Sequence, residues 1–164
     1  MSNDENAIHF GAIRQAFSNN NAAVMVGAGF SRNAEGGDSL ATWPMVGKAL
    51  WEALNPDTKE AVFSTGMVTQ LGEQYARVFS VPALENLLKQ LIPDDKVAPG
   101  LLHDQLLKLP WSEIFTTNYD TLLERAAEKI LDRAHFTVAS REDIPLSKIL
   151  DRRRIVKLHG SFLR

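Results

Sequence analysis

The sequence contains no cysteine, which excludes disulfide bonds, thiolate catalysis and any zinc site built from cysteine ligands. Its four histidines are scattered along the chain and have no metal-ligand spacing. No stretch approaches the roughly 18 uninterrupted apolar residues of a membrane-spanning helix. We therefore expect neither a metal cofactor nor a membrane as a partner.

A large excess of charge of one sign is also missing, because 18 basic residues face 20 acidic ones. The single basic run, residues 152–154, is short and has no interleaved aromatic residues, so we expect no direct binding to nucleic acid. The first residues are acidic and lack the basic-then-apolar order of a secretory signal. These features predict a cytoplasmic protein whose 164 residues can form one domain.

An apolar run leads directly into a glycine-rich stretch. Ala23–Val26 has the composition of a strand buried in a parallel sheet, and Gly27-Ala-Gly-Phe-Ser31 follows it. Glycine at 27 and 29 would let backbone amides approach and hold a pyrophosphate. Arg32 stands where the dinucleotide motif has its third glycine. The alternative is a strand-to-helix turn in which glycine serves backbone geometry alone.

Helical spacing of apolar residues recurs elsewhere. It predicts a helix over 5–17 and another that begins at Thr42-Trp-Pro-Met, with Pro44 in its first turn. Between these helices, 33–39 is polar and contains glycine, and we expect a mobile loop there. Residues 55–109 show no strand-like alternation and are predicted to form a helical insertion, in which His103 is given no functional role.

Strand patterns return near residue 113. Residues 113–116, 135–139 and 154–158 are predicted strands, and Thr121 with Glu124 fits a capping box at the start of a helix. Strands that alternate with helices predict an α/β fold with a mainly parallel sheet. The sheet portion would comprise 1–54 and 110–164.

Three polar corners follow predicted strands. In a parallel sheet the carboxyl ends of the strands share one edge, so Gly27-Ala-Gly-Phe-Ser31, the Asn118 and Asp120 pair, and His159 should converge. They would bring together a phosphate cradle, an amide, a carboxylate and a group that exchanges protons near neutral pH. Each has a simpler alternative, since Asn118 and Asp120 could only cap a helix and His159 could only end a strand.

Three ordered motifs, Gly27-Ala-Gly-Phe-Ser31, Thr117-Asn-Tyr-Asp120 and Leu158-His-Gly160, resemble the signatures of sirtuin-like domains. The resemblance is strongest to the branch found in bacterial antiphage effectors such as the Thoeris system. It implies a Rossmann-like fold, with NAD as substrate and no metal. The helical insertion would replace the zinc module of deacylating sirtuins.

The resemblance also implies roles for individual residues. Asn118 would orient the nicotinamide ribose and water, and His159 would act as a base on a ribose hydroxyl or on water. Asp120 would lie near the nicotinamide amide. After the glycine loop the sequence departs from the family, and there we expect Trp43 to cover the pocket instead. The residues expected to bind NAD are Gly27, Ala28, Gly29, Phe30, Ser31, Trp43, Thr117, Asp120, Gly160 and Ser161.

The activity expected from the resemblance is that of an NAD glycohydrolase, which releases nicotinamide and ADP-ribose, in antiphage defence. A non-catalytic sensor of NAD or ADP-ribose that gates a partner is the alternative, and a protein deacylase is a third. We expect a homo-oligomer or a partner effector or sensor domain. We also expect residues 1–164 to be the N-terminal part of one sirtuin-like domain, with low activity alone.

Overall fold

The computed structural model describes residues 3–58, 64–130, 134–150 and 152–161. The chain divides into two compact units. The first unit consists of Met1–Ala34 with Pro99–Arg164, and the second consists of Glu35–Ala98.

Four strands form one parallel sheet in the first unit: β1 Ala23–Val26, β2 Glu113–Thr116, β3 His135–Val138 and β4 Arg153–Lys157. Their order across the sheet is β1-β2-β4-β3. The predicted α/β fold with a parallel sheet is therefore confirmed. β1 and β2 have the predicted bounds, whereas β3 ends one residue earlier and β4 is shifted by one residue toward the N-terminus.

The described residues form eight α-helices: α1 Asn3–Ser18, α2 Ala28–Ser31, α3 Trp43–Leu54, α4 Thr65–Val78, α5 Val81–Leu91, α6 Leu101–Lys108, α7 Leu122–Glu128 and α8 Asp143–Ile149. Pro44 lies in the first turn of α3, as predicted, and Pro82 lies in the first turn of α5; in both places the missing N–H costs no helical hydrogen bond. Within the described part of the chain, no helix is long and apolar enough to span a membrane.

The core of the first unit joins the sheet to α6 and α7. The strands β1, β2 and β4 each contribute one buried apolar side chain, and the two helices cover them. The buried members of this core are Val26, Leu107, Ile114, Leu123, Ala126 and Ile155. Since Leu107 belongs to α6, this helix packs with the sheet of the first unit.

The second unit is a group of helices with its own apolar core. α3 packs on α4, and α4 packs on α5. The buried core residues are Ala41, Val46, Leu50, Val68 and Leu71. The unit spans 35–98, so it begins and ends earlier than the predicted insertion at 55–109. The apolar stripe of a helix shows that it packs against something, but it does not identify the neighbour.

The segment 33–39 contains more structure than the sequence predicted. Gly37–Ser39 forms a 3-10 turn, and the backbones of Glu35 and Ala98 exchange two hydrogen bonds. The polar side chains and glycines that predicted a loop also suit a tight turn that is held by backbone contacts.

Gly100 permits a close approach between two backbone segments of the first unit. A Cβ atom at this position would overlap the carbonyl oxygen of Asn33. We expect Gly100→Ala to lower the free energy of unfolding by about 1–3 kcal/mol, because the backbone must shift. Chemical denaturation measures the change.

Gly11 provides the matched control for that substitution. A Cβ atom there meets nothing within 4 Å in the described structure, and the residue lies inside α1. Gly11→Ala should be neutral or should stabilise the chain by up to about 1 kcal/mol, because alanine is the better helix former. Equal stability of the wild type and Gly100→Ala would show that the two segments do not approach as closely as the structure indicates.

Candidate functional site

Strand register aligns the starts of the three polar corners. Val26 pairs with Thr116, and Thr116 pairs with Lys157, so these last residues of β1, β2 and β4 form a row across the sheet. The segments that follow therefore leave from the same edge, where ligands of open parallel sheets bind. The predicted convergence of the corners is present in the backbone.

The glycine corner is a short helical turn that starts directly after β1. Gly27 precedes α2 with an extended backbone, and its carbonyl oxygen accepts a hydrogen bond from the Phe30 N–H at 2.8 Å. Neither Gly27 nor Gly29 has a positive φ. Both backbone conformations are therefore open to other residues, and glycine is not required at 27 or 29 for backbone geometry.

Packing among the described residues does not account for these glycines either. A Cβ atom at Gly29 would meet nothing within 4 Å among the described residues, and one at Gly27 would make only an ordinary contact with Thr117 at 3.9 Å. Both glycines are exposed. The space that a side chain would fill is thus open at the edge where the corners meet.

A chain of hydrogen bonds links the glycine corner to the corner after β2. The Asn118 side-chain amide donates to the Ser31 hydroxyl at 2.6 Å, and that hydroxyl donates to the Asp120 carboxylate at 2.7 Å. All three residues are buried. Hydrogen bonds are strengthened in such surroundings, so this network holds the two corners together.

The network orients the Asn118 amide. Because its NH₂ group donates to Ser31, its carbonyl oxygen faces away from that bond. This buried oxygen has no hydrogen-bond partner in the described part of the chain. Buried acceptors normally have one, so Asn118 presents an oriented acceptor that a bound hydroxyl group or water could satisfy.

Asp120 also caps helix α7. Its second carboxylate oxygen accepts a hydrogen bond from the Leu122 N–H at 3.2 Å. The predicted capping box is wrong in its partners, since Thr121 makes no side-chain capping bond and the Glu124 carboxylate lies 2.9 Å from the Lys157 ammonium group. The buried ammonium group of Lys157 on β4 is a stronger partner for Glu124 of α7 than a local backbone amide.

Lys157 is the site residue that the sequence interpretation missed. It ends β4, and its ammonium group donates to the backbone carbonyl oxygens of Asp120 and, at 3.4 Å, Tyr119. A detectable signal was present, because Lys157 is two residues after Ile155 and shares its face of the strand. Ile155 is completely buried, so a lysine on this face needs partners inside the protein.

His159 lies in the turn after β4 and is exposed. The centre of its ring is 6.2 Å from the Tyr119 ring. No hydrogen bond among the described residues joins it to Ser31, Asn118 or Asp120. The structure therefore places His159 at the correct edge of the sheet but outside the buried network.

Gly160 and Ser161 complete this corner. Gly160 has a φ of 84°, which favours glycine, so the strand-ending turn explains this residue. The Ser161 hydroxyl is buried and has no hydrogen-bond partner among the described residues. Thr117 lies beside Gly27, whereas Ala28 is half-buried in α2.

Trp43 belongs to the second unit. It begins α3 and packs against that unit's own core. That Trp43 covers the pocket stays a prediction.

His103 has a larger structural role than the sequence indicated. It is completely buried on α6, and its ring packs edge-on against Phe30 of the glycine corner, with ring centres 4.9 Å apart. Its Nδ1 atom accepts a hydrogen bond from the Gly100 N–H at 3.3 Å. Burial lowers the pKa of His103 despite the nearby charge of Asp120. We therefore expect a neutral imidazole that supports the glycine corner from below.

Comparison with known proteins finds a family match over the last part of the chain. The family described as SIR2-like domain matches residues 112–164, which include Asn118 and His159. The chain therefore resembles SIR2-like domains. Defense-associated sirtuin 2 of Bacillus subtilis is 27% identical over 150 residues, which cover 92% of this chain. The chain spans 14% of the length of that relative.

The buried His103 should make the stability of this chain depend on pH. Since the folded-state pKa lies below the ordinary 6.5, the unfolded chain takes up the proton first as the pH falls. The contribution of His103 is complete above that value and is lost as the pH drops below it. When the pH is lowered from about 7.5 to about 5.5, the unfolding free energy should fall less for His103→Gln than for the wild type. The glutamine side chain can still accept a hydrogen bond from the Gly100 N–H.

Urea denaturation at the two pH values measures this slope. Leu101→Gln is the matched control, since Leu101 lies on the same helix, is exposed and does not titrate. It should retain the wild-type slope. Identical slopes for the wild type and His103→Gln would mean that His103 binds a proton as readily in the folded chain as in the unfolded one.

Proposed function

We propose that this chain binds NAD and acts as an NAD glycohydrolase, which cleaves NAD to nicotinamide and ADP-ribose. The observation that supports this most strongly is the open space over Gly27 and Gly29 beside the buried Ser31, Asn118 and Asp120 network. Neither backbone conformation nor internal packing explains those glycines, whereas the close approach of a ligand does.

The glycine corner would hold the pyrophosphate. A phosphate group accepts hydrogen bonds from backbone amides when no side chain intervenes, and the Cβ positions of Gly27 and Gly29 are open. The turn is held from inside by Ser31 and by Phe30, which packs on His103. A preformed turn of this kind reduces the ordering cost of binding.

The second corner would receive the nicotinamide ribose. Asn118 offers its unsatisfied carbonyl oxygen, which can accept a hydrogen bond from a ribose hydroxyl or from the attacking water. Asp120 is held at both carboxylate oxygens, by Ser31 and by the Leu122 N–H. Its negative charge is thus fixed near the corner, where it can stabilise developing positive charge on the sugar.

The reaction needs positioning more than covalent catalysis. The bond between the ribose carbon and the nicotinamide nitrogen breaks, and its electron pair returns to the cationic ring. Water then adds to the same carbon and releases a proton. His159, exposed at the third corner, would accept a proton from water or from a ribose hydroxyl. The protein supplies orientation and a prearranged electrostatic environment.

We further propose that this activity serves antiphage defence in the cytoplasm, together with a second copy or a partner domain. The likeness to a protein named defense-associated sirtuin 2 supports the first part of this proposal.

We predict that Asn118→Ala and His159→Ala each reduce nicotinamide release by about 10² to 10⁴-fold, because each removes a group that positions or deprotonates the reactants. Nicotinamide release from NAD without any acyl peptide is the measurement, and circular dichroism reports folding. His9→Ala, at an exposed position on α1, is the control. Wild-type NAD binding without nicotinamide release would favour the sensor alternative, and release that depends on an acyl peptide would favour a deacylase.

A second prediction tests the cradle directly. Gly29→Leu should fold normally, since the space at its Cβ is open, yet should weaken NAD binding by at least about tenfold because the side chain would displace a phosphate group. Gly11→Leu places the same side chain at an equally open position on α1 and should not change the affinity. Calorimetric affinities that are equal for Gly29→Leu and the wild type would place the nucleotide elsewhere.

A further inference from the structure

Lys157 is a charged side chain in the interior of the first unit. Its side chain has no exposed surface, although it is the last residue of a strand. Lysine is almost never fully buried unless its ammonium group is paired. Its partners therefore indicate why a lysine occupies this position.

The ammonium group of Lys157 has three oxygen neighbours. The Glu124 carboxylate forms an ion pair with it at 2.9 Å, and the backbone carbonyl oxygens of Tyr119 and Asp120 accept hydrogen bonds from it. An ammonium group has three N–H donors, so it can serve several acceptors at once. Both hydrogen-bond acceptors belong to the backbone of the corner that carries Asn118 and Asp120.

Strand order explains how the side chain reaches this corner. β4 lies beside β2, and Lys157 pairs with Thr116, the last residue of β2. The corner begins immediately after Thr116, so Lys157 can reach the carbonyl oxygens of Tyr119 and Asp120 from the neighbouring strand. Two residues later, β4 leads into the turn that carries His159.

We propose that Lys157 is a positioning residue that fixes the backbone of the Asn118 to Asp120 corner, with Glu124 as its counter-ion. This role rests on the proposed function for its catalytic consequence, but its structural consequence can be measured without NAD. Burial raises the pKa of Glu124, while Lys157 opposes this shift. Glu124 thus compensates the lysine charge, and the two carbonyl contacts do the positioning.

A merely stabilising ion pair would behave differently from a positioning residue. Removal of one partner leaves a buried charge alone, whereas removal of both leaves none. The double variant Lys157→Met with Glu124→Gln should therefore recover most of the melting temperature that Lys157→Met loses. The carbonyl oxygens of Tyr119 and Asp120 would still lack their donor in that double variant.

Hydrogen exchange and kinetics together test the proposal. In the double variant we expect amides of residues 117–123 to exchange at least about tenfold faster than in the wild type, and kcat for nicotinamide release to fall more than KM rises. Wild-type exchange in 117–123 in a double variant with recovered melting temperature would overturn the proposal. If wild-type protein releases no nicotinamide, the proposed function fails, and the exchange result still decides the role of Lys157.

The absence of cysteine allows a second test that does not depend on the double variant. In the unfolded state, the single thiol of Lys157→Cys can be alkylated with 2-bromoethylamine, which rebuilds a lysine-like ammonium group. Alkylation with iodoacetamide instead adds an uncharged carboxamide group. After refolding, the ammonium form should restore slow exchange in 117–123 and the neutral form should not. Equal exchange in the two refolded forms would overturn the proposal, and unmodified wild type carried through the same steps is the control.

Discussion

The hydroxyl group of Ser31 joins two parts of the chain that are distant in sequence. It accepts from Asn118, 87 residues away, and donates to Asp120, 89 residues away. A hydroxyl group donates one proton, so the direction of the network is set from amide to hydroxyl to carboxylate. This direction leaves the Asn118 oxygen without a hydrogen-bond partner among the described residues, and the proposed chemistry depends on it.

The network exists because β1 and β2 are neighbouring parallel strands in register. Val26 lies opposite Thr116, so the turn after β1 and the corner after β2 begin side by side. A shift of one residue would reverse the faces of the strand and separate Ser31 from Asp120. The buried apolar side chains of the strands, Val26 and Ile114 among them, hold the register by packing under α6 and α7.

A glycine can be needed for its backbone conformation or for the close approach of another segment, and the sequence does not distinguish these cases. Gly160 needs a left-handed backbone, and Gly100 needs room for another backbone segment. Gly27 and Gly29 need neither among the described residues, and the proposed phosphate contact rests on this difference. The sequence cannot distinguish these four glycines, because the distinction rests on φ and on neighbours from elsewhere in the chain.

The sequence alone determined the α/β class, the positions of the four strands to within one residue and the three polar corners, because buried strands are short apolar runs that end at polar residues. Only the tertiary structure decided which side chains meet there. Lys157 replaced a local capping partner of Glu124, and His103 proved to support Phe30. The helical unit has boundaries at 35 and 98 instead of the predicted 55 and 109 for the same reason. Pairing across a fold depends on strand order and register, which bring together residues whose local sequence carries no record of one another.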